Sequence, residues 1–387
     1  MSAIALGLTA GNAAASTIRA ERVVIVGRVA GDAPWSDAAT EARAGDGAQL
    51  AVVVIGREGK RRVIVADRAL ATLRLGGKPV KSSDRRDFAA LGVEVRVQWS
   101  TVEPHGFREG QAENGATSAF YSNVSTEPRD FGRWLGYDQI DYFERVIAPW
   151  SDDAAARRIP AEVSSGEADA IQVSGVGTVR YKAEVQLGEA RLATPGAESR
   201  DGFGLTRAVH RVSIRQGDDF MGWLAAYLLV PEVFGSAGGG ANHQTERFTG
   251  ADCADVMVGA IRRSGRKDVA YTNVAGLPRY ATMIAGAVVL DDDGMPAAPI
   301  TGIQRGDLVR IDYGGALTGH TPRGWDHVAA VWEDRSDPRG PHAGKADGKL
   351  DGFDLVIHMG HPRLVIEPLS EQSPATVDVL RWKTKRR

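Results

Sequence analysis

The sequence predicts an α+β protein in which a helix bearing a cysteine packs on an antiparallel sheet, preceded by a β-rich sandwich or barrel region. Short runs rich in Val and Ile, separated by Gly/Asp clusters, recur through the first half of the chain. Two helical patterns follow, and the strand pattern returns from residue 306 onward. At 387 residues the chain is too long for one ordinary core, so we expect two domains.

The predicted strands share a high content of β-branched residues and flanking turn residues. Before the first predicted helix they are residues 22–29, 49–55, 61–65, 93–99, 170–173, 178–187 and 209–214. In the last part they are residues 307–312, 328–333, 353–358 and 364–368.

Two helices are predicted between these groups of strands. Residues 219–230 place large apolar side chains on one face, and Pro231 ends the pattern. Residues 251–265 form the second helix, with Asp252 as a suitable N-cap and Gly265 as a suitable terminator.

These patterns divide the chain into four segments. Residues 1–20 are a possible leader or flexible tail, and residues 21–216 are a β-rich region of unknown role. Residues 217–375 form the domain that carries the cysteine, and residues 376–387 form a basic tail. The first residues have the small-residue end of an export signal but no basic region before it, so a signal remnant and a plain tail are equal alternatives.

Composition narrows the range of partners. A net charge of -2 and a pI near 6.5 give no reason to expect nucleic acid as a partner. No run approaches the roughly 18 apolar residues that span a bilayer, so no membrane span is predicted. One cysteine excludes an intrachain disulfide and a multi-cysteine zinc site, and neither a metal nor a cofactor is predicted. The pattern gives no oligomeric state.

Cys253, the single cysteine, is the best catalytic candidate in the sequence. A thiol in the first turn of a helix feels the partial positive charge of unpaired backbone N–H groups. We therefore expect a lowered thiol pKa and a nucleophilic thiolate. The alternative is a buried structural cysteine that packs as a small apolar side chain.

A nucleophilic thiol also needs a base and a group that orients the base. Among the eight histidines, His327 opens one predicted strand and His358 closes another. On adjacent antiparallel strands, one of these rings can hydrogen-bond the other. The sequence therefore predicts a Cys-His-His arrangement, although each histidine taken alone fits an ordinary structural role better.

Six segments, taken in order, carry a resemblance to a known family. They are LAAYLLVPEVFGS at 224–236, GADCADV at 250–256, LPR at 277–279, GDLV at 306–309, DHVA at 326–329 and VIH at 356–358. Together they resemble the NlpC/P60 superfamily of papain-like cysteine peptidases, which cleave peptide bonds in bacterial peptidoglycan. The resemblance covers residues 220–370 only.

The resemblance implies a papain-like fold for the C-terminal unit and hydrolysis of amide bonds in peptidoglycan stem peptides or another peptide-like substrate. It implies Cys253 as nucleophile, His327 as general base and acid, and His358 as the residue that orients His327. It favours a cell-envelope or secreted location, with a cytoplasmic one left open. The alternatives are an acyltransferase or amidase on a non-wall substrate, or a catalytically weakened envelope-binding protein.

The sequence departs from the family near the expected oxyanion hole. Glu232 stands where the family has a tyrosine, and Ala254 and Asp255 replace Ser-Gly after the cysteine. The backbone N–H of the cysteine would therefore need another partner. The candidates for oxyanion or substrate contacts are Gln244, His243, Glu232 and Asp252, although the first two fit an ordinary polar loop equally well.

Overall fold

The computed structural model describes residues 18–29, 31, 33–105, 121–138, 140–163, 175–238, 243–314, 324–340 and 343–384. This part of the chain is rich in sheet and has short helices, as predicted for a mixed α+β, β-rich fold. Of the possible leader or tail at residues 1–20, residues 1–17 lie outside the described residues, as does the strand predicted at 170–173, whereas residues 18–20 belong to the first strand. No helix in the described ranges is long and apolar enough to cross a membrane.

The strands of the N-terminal part are β1 (Ile18–Arg28), β2 (Trp35–Ser36), β3 (Thr40–Arg43), β4 (Gln49–Glu58), β5 (Arg61–Val65), β6 (Leu73–Leu75), β7 (Lys78–Pro79), β8 (Arg85–Arg86), β9 (Val95–Pro104), β10 (Tyr142–Ser151), β11 (Arg158–Pro160), β12 (Gly177–Leu187), β13 (Ala190–Ala193), β14 (Arg200–Asp201), β15 (Gly204–Leu205) and β16 (His210–Arg215).

The helices are α1 (Phe220–Ala225), α2 (Gln244–Arg247) and α3 (Cys253–Arg263). The C-terminal strands are β17 (Ala281–Leu290), β18 (Leu308–Asp312), β19 (His327–Glu333), β20 (Leu355–Met359), β21 (Leu364–Pro368) and β22 (Ala375–Trp382).

The N-terminal strands form two large sheets. The first sheet has the order β7-β6-β2-β1-β4-β5-β8, with β11 paired to β4, and the second has the order β10-β9-β12-β16-β3, with β13 paired to β12. Val52 of the first sheet and Tyr181 of the second lie in one buried core. The β-rich region is therefore two sheets packed face to face, because each sheet buries one apolar face against the other.

The C-terminal strands form a third sheet in the order β17-β22-β18-β19-β20-β21. Its side chains alternate between two cores, as expected for a period of two residues. Val328 and Ala330 share a core with the α3 residue Met257, whereas Ala329 and Val331 lie in the core on the opposite face. The core on the helix side is continuous with the core of the N-terminal sheets.

The structure corrects the predicted basic tail. Residues 376–382 belong to β22, which lies between β17 and β18 in the sheet. Val377 and Val379 are fully buried, and Asp378 forms a buried ion pair with Arg310 of β18. The apolar alternation, rather than the Lys/Arg cluster that follows it, determines the structure of this segment, so the third sheet extends past residue 375.

The helix predicted over residues 219–230 is shorter than expected. Asp219 caps it, with a side-chain oxygen 2.7 Å from the backbone nitrogen of Gly222, but α1 ends at Ala225. The chain then continues through turns, and Leu229 has a positive φ of 68°. The backbone N–H of Thr178 in β12 donates to Leu228, so this segment joins the C-terminal unit to the second sheet.

Candidate active site

Helix α3 begins at Cys253, as the sequence predicts. Asp252 caps it: Oδ1 accepts from the backbone N–H of Asp255 at 2.7 Å, and Oδ2 accepts from the backbone N–H of Gly235 at 3.0 Å. The second contact ties the start of α3 to the segment after Pro231. The cap therefore fixes the position of the half-buried cysteine as well as the end of the helix.

The Cys253 sulfur lies against the start of β19. The backbone N–H of Val328 hydrogen-bonds to the sulfur, and Val328 directly follows His327 in the strand. Among the described contacts, the sulfur has no hydrogen bond to the ring of His327. Since catalytic hydrogen bonds are often long in the absence of substrate, this arrangement is compatible with proton transfer in the substrate complex.

A chain of polar side chains extends from His327. Its Nε2 lies 2.9 Å from Nδ1 of His358, and Nε2 of His358 lies 2.9 Å from Oε1 of Glu367. Gln372 donates from Nε2 to the same Glu367 oxygen at 2.7 Å and receives a hydrogen bond from the hydroxyl of Tyr313. The predicted histidine pair is therefore present and is part of a longer network.

The network determines which ring nitrogens carry protons. The hydrogen bond from His358 lowers the pKa of Glu367, so Glu367 is an ionised acceptor. His358 then donates from Nε2 and accepts at Nδ1 from the protonated Nε2 of His327. A neutral His327 is left with its lone pair on Nδ1, which makes that atom the available base.

The expected low pKa of Cys253 is wrong. Burial raises the pKa of the thiol well above its usual range, and the charges of Asp252, Asp255 and Glu232 raise it further, with only the Val328 N–H acting in the opposite direction. Burial lowers the pKa of His327 well below its usual range, and a charge on His358, when that ring is protonated, acts in the same direction. The resting pair is therefore a neutral thiol and a neutral imidazole, because nearby carboxylates and burial outweigh the helix terminus.

The carboxyl groups of Asp252 and Asp255 are coupled. Burial raises the pKa of both, and the hydrogen bond between them lowers the pKa of Asp252 and raises that of Asp255. Oδ2 of Asp255 also accepts from Ser236 Oγ at 2.9 Å and from the backbone N–H of Ala237 at 2.6 Å. The pair thus links the start of α3 to the loop before it.

Glu232 also lies near the start of α3. A bridge pairs Glu232 with Ala251, two residues before the cysteine, and Oε2 of Glu232 lies 2.8 Å from Nδ1 of His361. The pKa of Glu232 is raised overall. Burial and the charge of Asp252 raise it, and they outweigh the hydrogen bond with His361, which lowers it. Of the four oxyanion or substrate candidates, Glu232 and Asp252 therefore lie beside the thiol.

The other two candidates are engaged elsewhere. Gln244 is fully buried; its Oε1 accepts from Asn123 at 2.6 Å and its Nε2 donates to the backbone oxygen of Asp138 at 3.3 Å. His243 is also buried, and its ring packs edge-on against Tyr271. Gln244 uses both ends of its amide in these contacts, and His243 has no described hydrogen bond to the residues around the thiol, so a donor role at the oxyanion stays a prediction for both.

An open cavity of about 360 Å³ lies over the histidine network. The residues that line it include Tyr313, His327, His358, His361, Glu367 and Gln372. Such a cavity is large enough for part of a peptide. Within the described ranges, no cluster of three or more His, Cys, Asp or Glu residues is arranged to hold a metal ion.

Sequence reasoning missed Glu367, Gln372, Tyr313 and His361. A glutamate inside the apolar strand β21 is the one available signal, because a charged side chain in a largely buried strand needs a partner.

Comparisons with family models, with curated proteins and with solved structures find no match to this chain. Its function must therefore be argued from these residues.

Proposed function

We propose that this protein is a thiol-dependent hydrolase that cleaves amide bonds. Cys253 is the nucleophile, His327 is the general base and then the acid, and His358 orients His327. The observation that carries the proposal is the placement of the thiol beside Val328, at the start of the strand where His327 begins the network to Glu367. The resemblance to NlpC/P60 peptidases makes peptidoglycan stem peptides the proposed substrate class.

The reaction starts from neutral groups. As the sulfur attacks the amide carbonyl carbon, the thiol proton moves to Nδ1 of His327, and the resulting positive charge is stabilised through His358 by Glu367. The C–N bond then breaks as His327 protonates the leaving amine. Water, deprotonated by His327, hydrolyses the thioester to a carboxylic acid and restores the thiol.

The oxyanion hole is proposed to use the backbone N–H of Cys253. The N-cap residue Asp252 supports this role. Its side chain accepts from the backbone N–H groups of Ala254 and Asp255 and so orients the first turn of α3. A preorganised backbone donor stabilises the developing negative charge without rearrangement during the reaction.

The test is the release of free amino groups from purified peptidoglycan by the wild type, by Cys253→Ala and by His327→Ala, with folding checked by circular dichroism. We expect release by the wild type alone. An added amine acceptor distinguishes hydrolysis from acyl transfer, since a transferase yields the new amide. No release from any wall preparation overturns the peptidoglycan assignment.

A catalytically weakened envelope-binding protein is the second candidate. One observation favours it: the raised pKa of Cys253 beside Asp252, Asp255 and Glu232 keeps the thiol protonated at neutral pH. In that case peptidoglycan co-sediments with wild type and Cys253→Ala alike, and no amino groups appear. Binding without turnover therefore separates this candidate from the hydrolase.

A further inference from the structure

A second cavity, of about 390 Å³, lies where β9 and β12 separate. Pairing of these strands stops at Val102 and Arg180, although β9 continues to Pro104 and β12 begins at Gly177. The opening formed by this fork is bordered on the C-terminal side by Pro231 and Arg363, which form a bridge with each other.

Arg180, at the fork, is a buried cation without a carboxylate. Its side chain is 7% exposed, and Nη2 donates to the backbone oxygens of Arg247 at 2.8 Å and Phe248 at 3.0 Å. No ion pair joins Arg180 to an acidic residue in the part of the chain that the structure describes. Burial lowers the pKa of Arg180 to about 10, with the charges of Arg211 and Arg247 acting in the same direction.

Two neighbouring arginines differ in this respect. Arg247 forms an ion pair with Asp201 at 3.0 Å, and Arg211 forms one with Glu41 at 2.6 Å. A buried charge is costly unless a partner of opposite charge compensates it. Arg180 therefore lines a cavity while its guanidinium bonds to backbone oxygens and to no carboxylate among the described residues.

The other charges around the cavity leave Arg180 uncompensated. Arg145 and Glu103, which both line it, form an ion pair at 2.6 Å and so cancel. Glu162, the remaining acidic residue of the lining, has an exposed side chain. Aliphatic and aromatic side chains complete the wall, among them Ile147 and Tyr142. The cavity thus combines an apolar wall with two buried arginines, Arg180 and Arg363.

We propose that the cavity at the fork of β9 and β12 binds a small amphiphilic ligand through its carboxylate, with Arg180 as the counter-ion. A guanidinium group presents parallel N–H donors that match a carboxylate, and an apolar wall suits the attached short aliphatic chain. The proposal concerns binding alone and does not depend on catalysis by Cys253.

The test uses the full chain with Cys253→Ala, so that turnover cannot consume the probe. Calorimetry compares N-acetyl-alanyl-alanine with its carboxamide and with inorganic phosphate. We expect the free acid to bind at least about tenfold more tightly than the carboxamide, because only the acid carries the charge. Equal binding of acid and amide, no binding of the acid, or binding of phosphate alone overturns the proposal.

Two pairs of variants locate the site. Arg180→Met is expected to lose the preference for the acid, whereas Arg191→Met, at an exposed arginine of β13 paired with Glu184, is expected to keep it. Ile147→Trp fills the cavity and is expected to abolish binding, whereas Val146→Trp, at the adjacent residue outside the lining, is not. The tryptophan pair is decisive if Arg180→Met fails to fold, and retained acid binding in Ile147→Trp contradicts the assignment.

Discussion

The Nε2 atom of His327 lies 2.9 Å from the Nδ1 atom of His358. This orientation directs the remaining nitrogen of His327, Nδ1, away from its histidine partner and makes it the atom that can receive a thiol proton. Glu367 accepts a hydrogen bond from the opposite side of His358. The preference for this proton arrangement therefore originates at Glu367, two hydrogen bonds away from the base.

Glu367→Gln is predicted to lower kcat by roughly 10- to 100-fold with little change in KM, as expected for a group that acts through other residues. The amide keeps the shape of the side chain but removes the negative charge that stabilises the protonated histidine pair. Amino-group release from peptidoglycan measures the effect. Glu371→Gln, at a neighbouring exposed residue, is the control and should retain full activity. Equal rates for both variants would contradict the role of Glu367.

Glu232→Gln is predicted to lower the pKa of the Cys253 thiol, because it removes one of the charges that raise that pKa. A shift of about half a pKa unit gives roughly threefold faster alkylation at pH 7. Since the chain has one cysteine, iodoacetamide labelling followed by mass spectrometry reports this thiol alone. Glu127→Gln, at an exposed residue, should leave the rate unchanged. Slower labelling of Glu232→Gln would show that Glu232 does not act through its charge.

Asp378→Asn is predicted to destabilise the protein by about 3–5 kcal/mol, because it leaves Arg310 buried without its ion-pair partner. The double variant Arg310→Met, Asp378→Leu is expected to recover most of this loss. Urea unfolding measures both. If Asp378→Asn unfolds at the same urea concentration as the wild type, residues 376–382 do not form the buried strand β22.

Asp354 is predicted to make stability fall as pH rises. Burial raises its pKa to about 8, so the folded protein keeps a proton that the unfolded chain loses near pH 4. The free energy of unfolding from this group is therefore greatest at low pH and decreases between about pH 4 and 8. Asp354→Asn removes this titration but places its amide nitrogen against one of the two backbone N–H groups, of Arg335 and Asp351, that donate to the carboxyl oxygens. The urea midpoint of the variant should therefore change less between pH 5 and pH 8 than that of the wild type, whatever its absolute stability.

The control for this prediction is Asp292→Asn, at an exposed position of the turn after β17. It should leave the pH dependence unchanged. If the free energy of unfolding changes equally between pH 5 and pH 8 in the wild type and in Asp354→Asn, the raised pKa of Asp354 is ruled out.

The sequence predicted those strands whose apolar alternation is bounded by clear turn residues. Residues 61–65 were predicted with the bounds of β5, and residues 364–368 with those of β21. Strands β10, β17 and β22 were missed, because Pro149 in β10, small residues in β17 and the basic residues after β22 obscure the pattern.

The candidate site was predictable only where it depends on local spacing. The N-cap of α3 and the two strand histidines follow from local pattern, and the structure places them as expected. The charge state of the thiol does not, because Glu232 approaches through a bridge to Ala251 that no local pattern indicates. Burial, the largest influence on that pKa, is likewise a property of the assembled fold.

The position of β22 also sets an order of events during synthesis. Strand β18 pairs with β22 on one side and with β19, the strand of His327, on the other. A ribosome that has translated the cysteine and both histidines has therefore not yet supplied the strand that completes this sheet. The nascent chain must keep β18 and β17 apart from other sheet edges until residues 375–382 emerge, which makes this interval the one most exposed to mispairing and to chaperone binding.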